Sequence, residues 1–382
     1  MWKRKVRPGP ICITDLNVNQ LRELVQSMGE PAFRANQLLN WIYRRLAACF
    51  DDMTNLPQGL RKKLAREFAH HSLTPCQEVA GNDGTIKTLF NLADSLTIES
   101  TLMSFYGSGE KTRHTVCVST QVGCAMGCPF CATGQQGFQR NLSPGEIIDQ
   151  VLYFARLLQD RHLDGNNGGN RPPAPVTNIV FMGMGEPLAN YDSLWQAIEM
   201  LNSPLGFGLG ARNMVISTAG IVPGIKRLSR ETLQVGLAIS LHAGDNALRN
   251  RLVPANRKYP LEQLIPACRE YIETTGRRIT FEYILFAGIN DSREQARSLA
   301  VLLRGLNCHV NLIRANRAAD PAFSPPDEQA VLAFENELKR FHIACTVRQP
   351  KGLDVNAGCG QLRSRYLTGC HTRKTEPILQ SE

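Results

Sequence analysis

Apolar positions along this chain change rhythm twice. In residues 16–29, 32–46 and 56–68 they recur every three or four positions, the spacing of amphipathic helices. The first of these ends at Gly29, a plausible helix stop, and the second puts Leu38, Leu39, Ile42 and Tyr43 on one face. The third carries a basic outer face. Residues 83–92 and 95–107 then alternate as two paired strands would. From about residue 113 the pattern becomes strand, loop and helix, repeated. Strand-like runs fall at 114–121, 177–183, 213–220, 235–243, 278–286, 309–315 and 344–349. Helical runs at 143–160, 191–202, 261–276 and 292–306 lie between them. This alternation predicts an α/β fold with a parallel sheet and helices outside it. About six such units are too few for a closed eight-stranded barrel, so the sheet is expected to form an open partial barrel with its chemistry at the C-terminal strand ends. Residues 163–175, rich in Gly, Asn and Pro, read as a loop. The changes of rhythm divide the chain into a helical accessory region (1–75), a strand-rich extension with a small β-hairpin (76–112), an α/β core (113–348) and a C-terminal segment (349–382).

Composition narrows the function classes. At 382 residues the chain can bury a sizeable core, and length suggests two or more units. No apolar run approaches the ~18 residues of a membrane-spanning helix, and none is expected. The basic N-terminus has no apolar stretch behind it, so no signal peptide is expected either. Lys and Arg number 43 against 34 Asp and Glu, a formal charge of +9. That excess suits a polyanion such as RNA, although a solvated basic surface gives the same balance. Twelve cysteines without an export signal fit reduced cytoplasmic thiols better than a disulfide framework.

The sharpest chemical signal is Cys124-Ala-Met-Gly-Cys128-Pro-Phe-Cys131, just past a predicted strand. Three thiolates on so short a loop can hold three corners of an iron–sulfur cubane and leave one iron open. Zinc and purely structural thiols are the rivals; zinc sites usually add a second Cys or His pair, and no second CxxC exists here. Cys117 is a conceivable fourth ligand, but it falls inside a strand. The run 182–187, Met-Gly-Met-Gly-Glu-Pro, follows the second barrel strand; its glycines let backbone approach a ligand, and Glu186 can accept from an ammonium. Read in isolation, His242 would be a satisfied structural histidine, Cys117 and Cys359 packed apolar thiols, and Glu99 a solvated carboxylate.

Context changes those readings. CxxxCxxC after the first strand of a βα barrel resembles the radical S-adenosylmethionine (SAM) superfamily. Residues 117–147 resemble the RlmN/Cfr family of RNA methyltransferases closely, as do 183–187, 216–220, 240–243, 251–260, 358–362 and the N-terminal 29–43. The match runs in order from about residue 15 to 365. The resemblance, strongest to the RlmN branch, implies a partial (β/α)6 radical SAM barrel with an N-terminal helical accessory domain and a small β-hairpin extension. It implies one [4Fe–4S] cluster on Cys124, Cys128 and Cys131. SAM contacts would come from Gly185, Glu186, Ser217, Ser240, Leu241, His242 and Asn316. Cys359 would carry the methyl group, Cys117 would be the second catalytic cysteine and Glu99 the proton acceptor.

The implied activity is methylation of adenosine C2 in 23S rRNA and, as in some members of the family, in tRNA, with two SAM molecules per turnover. Adenine C2 is electron-poor and does not attack a sulfonium methyl, which is why radical chemistry is needed. The first SAM methylates the Cys359 thiolate. The second is cleaved at the cluster to start radical transfer of that methyl. Cys117 then attacks Cys359, releasing product as a transient disulfide forms. The implied partners are RNA, a one-electron reductant and a thiol reductant, for a cytoplasmic monomer without membrane attachment. Methylation at C8 and a non-catalytic iron–sulfur or zinc RNA-binding role are the alternatives. The chain departs from the family pattern at Arg314-Ala315-Asn316-Arg317, where prolines usually flank the Asn, and at Lys351-Gly352-Leu353-Asp354, where Arg usually stands for Lys.

Overall fold

Helices α1 (Val18–Ser27), α2 (Phe33–Tyr43) and α3 (Gln58–Glu67) occupy the N-terminal region. The computed structural model describes residues 11–106, 112–164, 176–315 and 321–348. A capping box starts α1: Asn17 Oδ1 accepts from Gln20 N (3.0 Å), and Gln20 Oε1 accepts from Asn17 N (2.9 Å). The apolar stripes predicted from spacing are buried, with Leu21, Val25, Leu38, Leu39, Ile42, Leu60 and Leu64 all inaccessible or nearly so.

The sheet begins with four antiparallel strands, β1 (Leu73–Ala80), β2 (Thr85–Leu92), β3 (Thr97–Tyr106) and β4 (Thr112–Cys117). A separate two-stranded ribbon, β5 (Gln121–Gly123) and β6 (Phe138–Asn141), brackets the cysteine motif, with the short helix α4 (Ala132–Gln135) inside the bracket. Then come β7 (Asn178–Phe181), β8 (Met214–Thr218), β9 (Gly236–Ser240), β10 (Ile279–Leu285), β11 (Cys308–Arg314) and β12 (Cys345–Arg348). Helices α5 (Pro144–Asp164), α6 (Tyr191–Asn202), α7 (Val222–Leu228), α8 (Asn246–Leu252), α9 (Leu261–Thr275), α10 (Arg293–Leu303) and α11 (Glu328–Arg340) follow the strands.

The main sheet has ten strands in the order β1-β2-β3-β4-β7-β8-β9-β10-β11-β12, and β4 through β12 pair in parallel. Its two edges, β1 and β12, do not pair with each other among the described residues, so the sheet is open. This is the partial barrel that the strand–helix rhythm predicts. β1 was invisible in the pattern. Its residues are mostly exposed, they lack apolar alternation, and Pro75 stands at a register shift.

A buried polar knot joins the N-terminal helices to the barrel. Asp149 on α5 accepts from Ser72 N (2.7 Å), Ser72 Oγ (2.6 Å), Thr14 Oγ1 (3.0 Å) and Cys12 Sγ (3.6 Å). Asp15 Oδ1 accepts from Gly145 N at the start of α5 (2.8 Å), and Gln196 on α6 donates to Asp15 O (2.7 Å). Farther out, Arg44 donates to the carbonyls of Phe207 and Pro204. The donors gathered on Asp149 are buried away from water, so their partner sets their cost. Asp149→Ala should therefore lower unfolding stability by about 3 kcal/mol, because several buried donors are orphaned at once. Urea unfolding of the full chain measures it, and a loss below about 0.5 kcal/mol, the range of an ordinary surface substitution, would show that the knot is solvated.

Candidate active site

Alternation along paired strands decides which side chains meet. Thr101 on β3 stands opposite both Lys87 on β2 and Cys117 on β4. Cys117 stands opposite Val180 on β7, and Ser217 on β8 opposite Ala238 on β9. Ser240 is level with Glu282 on β10, Glu282 with Asn311 on β11, and Ile313 with Arg348 on β12. Level partners share a face, as do residues two apart on a strand. Lys87, Glu99, Cys117, Ser217, Ser240, Glu282, Asn311 and Arg348 therefore line one face of the sheet. The other face is apolar and packs on helices, as where Tyr283 meets the Phe334 ring on α11 with centroids 5.0 Å apart.

The cysteine motif leaves β5 at the C-terminal end of the barrel. Gly127 turns the loop in the left-handed region (φ 64°), and Cys131 N donates to Cys128 O (3.1 Å). Cys124 is buried; Cys128 and Cys131 are half-buried. Burial pushes the Cys124 thiol up to about 12, with the charges of Glu186 and Cys131 adding to it. Burial pushes Cys128 higher still, aided by Cys131 and Cys124, while Arg249 pulls it down. The three thiols are thus close enough to feel one another. Among the described residues no three His, Cys, Asp or Glu side chains form a set that could hold a single metal ion. A rim of three soft thiol donors on one loop suits the separate iron corners of a cubane, with iron replacing each proton.

Phe130, within the motif, fixes the loop to the barrel. Its ring meets His242 edge-on (5.2 Å) and packs on Phe286 and Phe323. His242 is buried, adopts φ 60°, and its Nδ1 accepts from Ile284 N (3.1 Å). Burial, then the Arg249 charge, lowers its imidazole to about 3, so it is neutral and its Nδ1 is engaged. Arg249 on α8 is fully buried. It donates to the carbonyls of Ala219 (2.8 Å), Leu241 (3.3 Å) and Ser240 (3.4 Å), and to Asn256 Oδ1 (2.6 Å). One cation thereby ties together the ends of β8 and β9.

The run after β7 is tightly built. Gly185 has φ 106°, and a Cβ there would lie 2.6 Å from Gln121 Cβ and 2.8 Å from Gln121 N. Glu186 is buried, and burial pushes its carboxyl up to about 7 against the hydrogen bonds that lower it. Its Oε1 accepts from Leu188 N (3.1 Å) and Oε2 from Ala219 N (2.7 Å), and its own N–H donates to Gln121 Oε1 (2.8 Å). Glu186 thus serves the fold as well as facing the thiols. Ser217 and Ser240 are half-buried, and Leu241 is buried, its N–H donating to Glu282 O (3.0 Å). Asn316 and Cys359 lie outside the described residues.

Glu99 is not the solvated carboxylate that its sequence context alone suggests. It is buried, and its Oε2 lies 2.7 Å from Lys87 Nζ. Beside it, Ser100 Oγ donates to Cys117 O (2.6 Å) and Ser119 Oγ to Glu99 O (2.5 Å). Burial pushes the Cys117 thiol up to about 11; Arg348 and Lys87 pull it down and Glu99 pushes it up. All ten cysteines among the described residues are free thiols. Glu282 completes the row: Asn311 Nδ2 donates to its Oε1 (3.0 Å), and its Oε2 has no partner among the described residues. Lys87, Phe130, Arg249 and Glu282 were missed in the sequence. Lys87 and Glu282 carried one weak signal, a charge at an inward-facing place in a strand; Arg249 carried none.

Comparisons with known proteins fit this geometry. The family described as "Ribosomal RNA large subunit methyltransferase N-terminal domain" matches residues 11–69. A "Probable dual-specificity RNA methyltransferase RlmN" of Chloroflexus aurantiacus is 47% identical over 372 residues, covering 96% of each chain. A "Ribosomal RNA large subunit methyltransferase N" of Nitrosopumilus maritimus is 45% identical over 349 residues, covering 90% of this chain and 96% of that one. The crystal structure of a radical SAM methyltransferase from Sphaerobacter thermophilus superposes with a TM-score of 0.86 at 47% identity, over 92% of this chain and 99% of that one. With an open parallel barrel, a three-cysteine loop at its C-terminal end and identity of this extent, the chain belongs to the RlmN family of radical SAM RNA methyltransferases, which work with a [4Fe–4S] cluster and SAM.

Proposed function

We propose that this chain methylates C2 of an adenosine in 23S rRNA, and a tRNA adenosine as well, through a methyl group carried on Cys359. The observation that carries the reading is the shared face: Glu99, two residues from the cross-strand partner of Cys117, and Cys117 itself lie on the same face of the sheet as Ser217 and Ser240. When bound at Cys124, Cys128 and Cys131, the [4Fe–4S] cluster supplies the electron that cleaves SAM. The protein's own residues do the rest. Phe130 and Arg249 hold the loop and strand ends in register with one another. Glu186 and the backbone around Gly185 offer acceptors to the amino group of SAM, and His242, neutral and buried, helps to wall off water. Cys359, as a thiolate, attacks the methyl carbon of one SAM, taking the methyl group and displacing S-adenosylhomocysteine. Glu99 Oε receives the proton that leaves the adenine carbon, and Cys117 Sγ attacks Cys359 Sγ to release the methylated base. The transient disulfide then needs an external thiol reductant, in keeping with a reducing cytoplasm. The net basic charge suits a monomer that approaches RNA through phosphate contacts.

Three outcomes test this reading. Mass spectrometry of ribosomal and transfer RNA should find 2-methyladenosine in cells that hold the protein and lose it when the protein is removed; 8-methyladenosine in its place would move the chemistry to C8. Cys117→Ala should stall release and accumulate a covalent protein–RNA adduct under turnover; a denaturing gel with no such band would remove Cys117 from that role. Gly185→Ala should weaken SAM binding at least tenfold, since Gln121 has to move before a Cβ fits. Equilibrium dialysis with labelled SAM reads this directly, and unchanged affinity would place SAM elsewhere.

A further inference from the structure

Lys87 has no part in the chemistry described so far, yet its position is costly. Its ammonium and the Glu99 carboxylate are 1% and 3% exposed and 2.7 Å apart. A buried ion pair rarely stabilises a sheet more than two apolar side chains of the same volume would. Lys87, Glu99 and Cys117 sit on three consecutive strands and project from one face, with Thr101 as the cross-strand neighbour of both Lys87 and Cys117. Strands stand about 4.8 Å apart, so all three groups fall within ~10 Å of one another.

We propose that Lys87 is a positioning residue that makes proton uptake by Glu99 the trigger for thiol attack by Cys117. This rests on the reading of Glu99 as the base and Cys117 as the releasing thiol. While Glu99 is a carboxylate, its charge offsets the Lys87 ammonium at the thiol. When the adenine C–H bond of the radical adduct breaks, the proton goes to Glu99 Oε, and the ring's surplus electron leaves to a one-electron acceptor, which restores the aromatic ring. The carboxyl is then neutral, and the net charge felt by Cys117 has risen by one unit, with the Lys87 ammonium still in place. Two other charges belong to this surround: Arg348 on β12, which also favours the thiolate, and Glu282 on β10, which faces Arg348. The thiolate attacks Cys359 Sγ, the S–S bond forms, and the S–CH2 bond breaks with its electron pair on carbon. That carbon takes a proton, so in net terms the thiol hydrogen ends in the new methyl group and this step needs no outside oxidant. The thiol is suppressed until the base has acted, which prevents premature attack on the methylated carrier.

One unit charge added or removed at this range changes a thiolate fraction by about tenfold. The test is the rate at which iodoacetamide labels Cys117, followed by peptide mass spectrometry, in the full-length protein with its cluster, anaerobically and without RNA. Labelling rate follows the thiolate fraction. Glu99→Gln, which keeps shape and hydrogen bonding, should speed labelling several-fold at a fixed pH. Lys87→Met should slow it several-fold, Lys87→Arg should match the unaltered protein, and the Lys87→Met, Glu99→Gln double variant should return near it. A purely structural role for Lys87 would move both single variants in the same direction. Unchanged or slower labelling in Glu99→Gln overturns the proposal, and the isosteric Gln keeps that arm valid even if Lys87→Met fails to fold. RNA methylation by Glu99→Gln is measured alongside. Full methylation there would remove Glu99 as the base and the ordering with it, whereas faster labelling together with lost methylation supports both.

Discussion

Strand register is the constraint on which everything else in this molecule depends. Side chains alternate between the two faces of the sheet, so a slip of one residue would turn Lys87, Glu99 and Cys117 toward the helices and their apolar neighbours toward the site. Three kinds of packing prevent that slip. Antiparallel pairing fixes β2, β3 and β4 relative to one another. Apolar residues such as Ile98, Val116, Ile179 and Phe281 anchor the opposite face. The buried polar knot around Asp149 holds α5, and so the loop that precedes it, against the N-terminal helices.

Around the cysteine loop the charged side chains are tied to backbone. Arg249 spends its donors on strand-end carbonyls, and Glu186 spends its oxygens on Leu188 N and Ala219 N. Such groups shape a ligand site by fixing the main chain that touches the ligand, and their charges still act on the thiols nearby. Glu99 and Cys117, the carboxylate and thiol proposed to act in catalysis, lie elsewhere, in the antiparallel part of the sheet. The site therefore spans the junction between the antiparallel extension and the parallel barrel. That junction runs through β4, which pairs antiparallel with β3 and parallel with β7.

Much of this was legible in the chain. The strand–helix rhythm gave the open barrel, the CxxxCxxC spacing gave the thiol loop, and three-residue spacing gave the N-terminal helices. β1 was lost because an exposed edge strand needs no apolar alternation, and the β5–β6 ribbon because its strands are only three and four residues long. Lys87 and Arg249 were lost for a deeper reason. A basic side chain reads as a surface residue until its partner is known, and Glu99 and the carbonyl of Ala219 lie on other strands or strand ends. Buried charge is a property of pairing, and pairing across strands is not written in local pattern.

The central claim is that the three thiols of one loop hold a reducible cluster with an iron open to SAM. Electron paramagnetic resonance of the anaerobically reconstituted, dithionite-reduced protein tests it most directly. The account predicts a [4Fe–4S]⁺ signal that changes shape when SAM is added and disappears in Cys128→Ala. A silent, zinc-loaded protein, or a cluster signal indifferent to SAM, would contradict it.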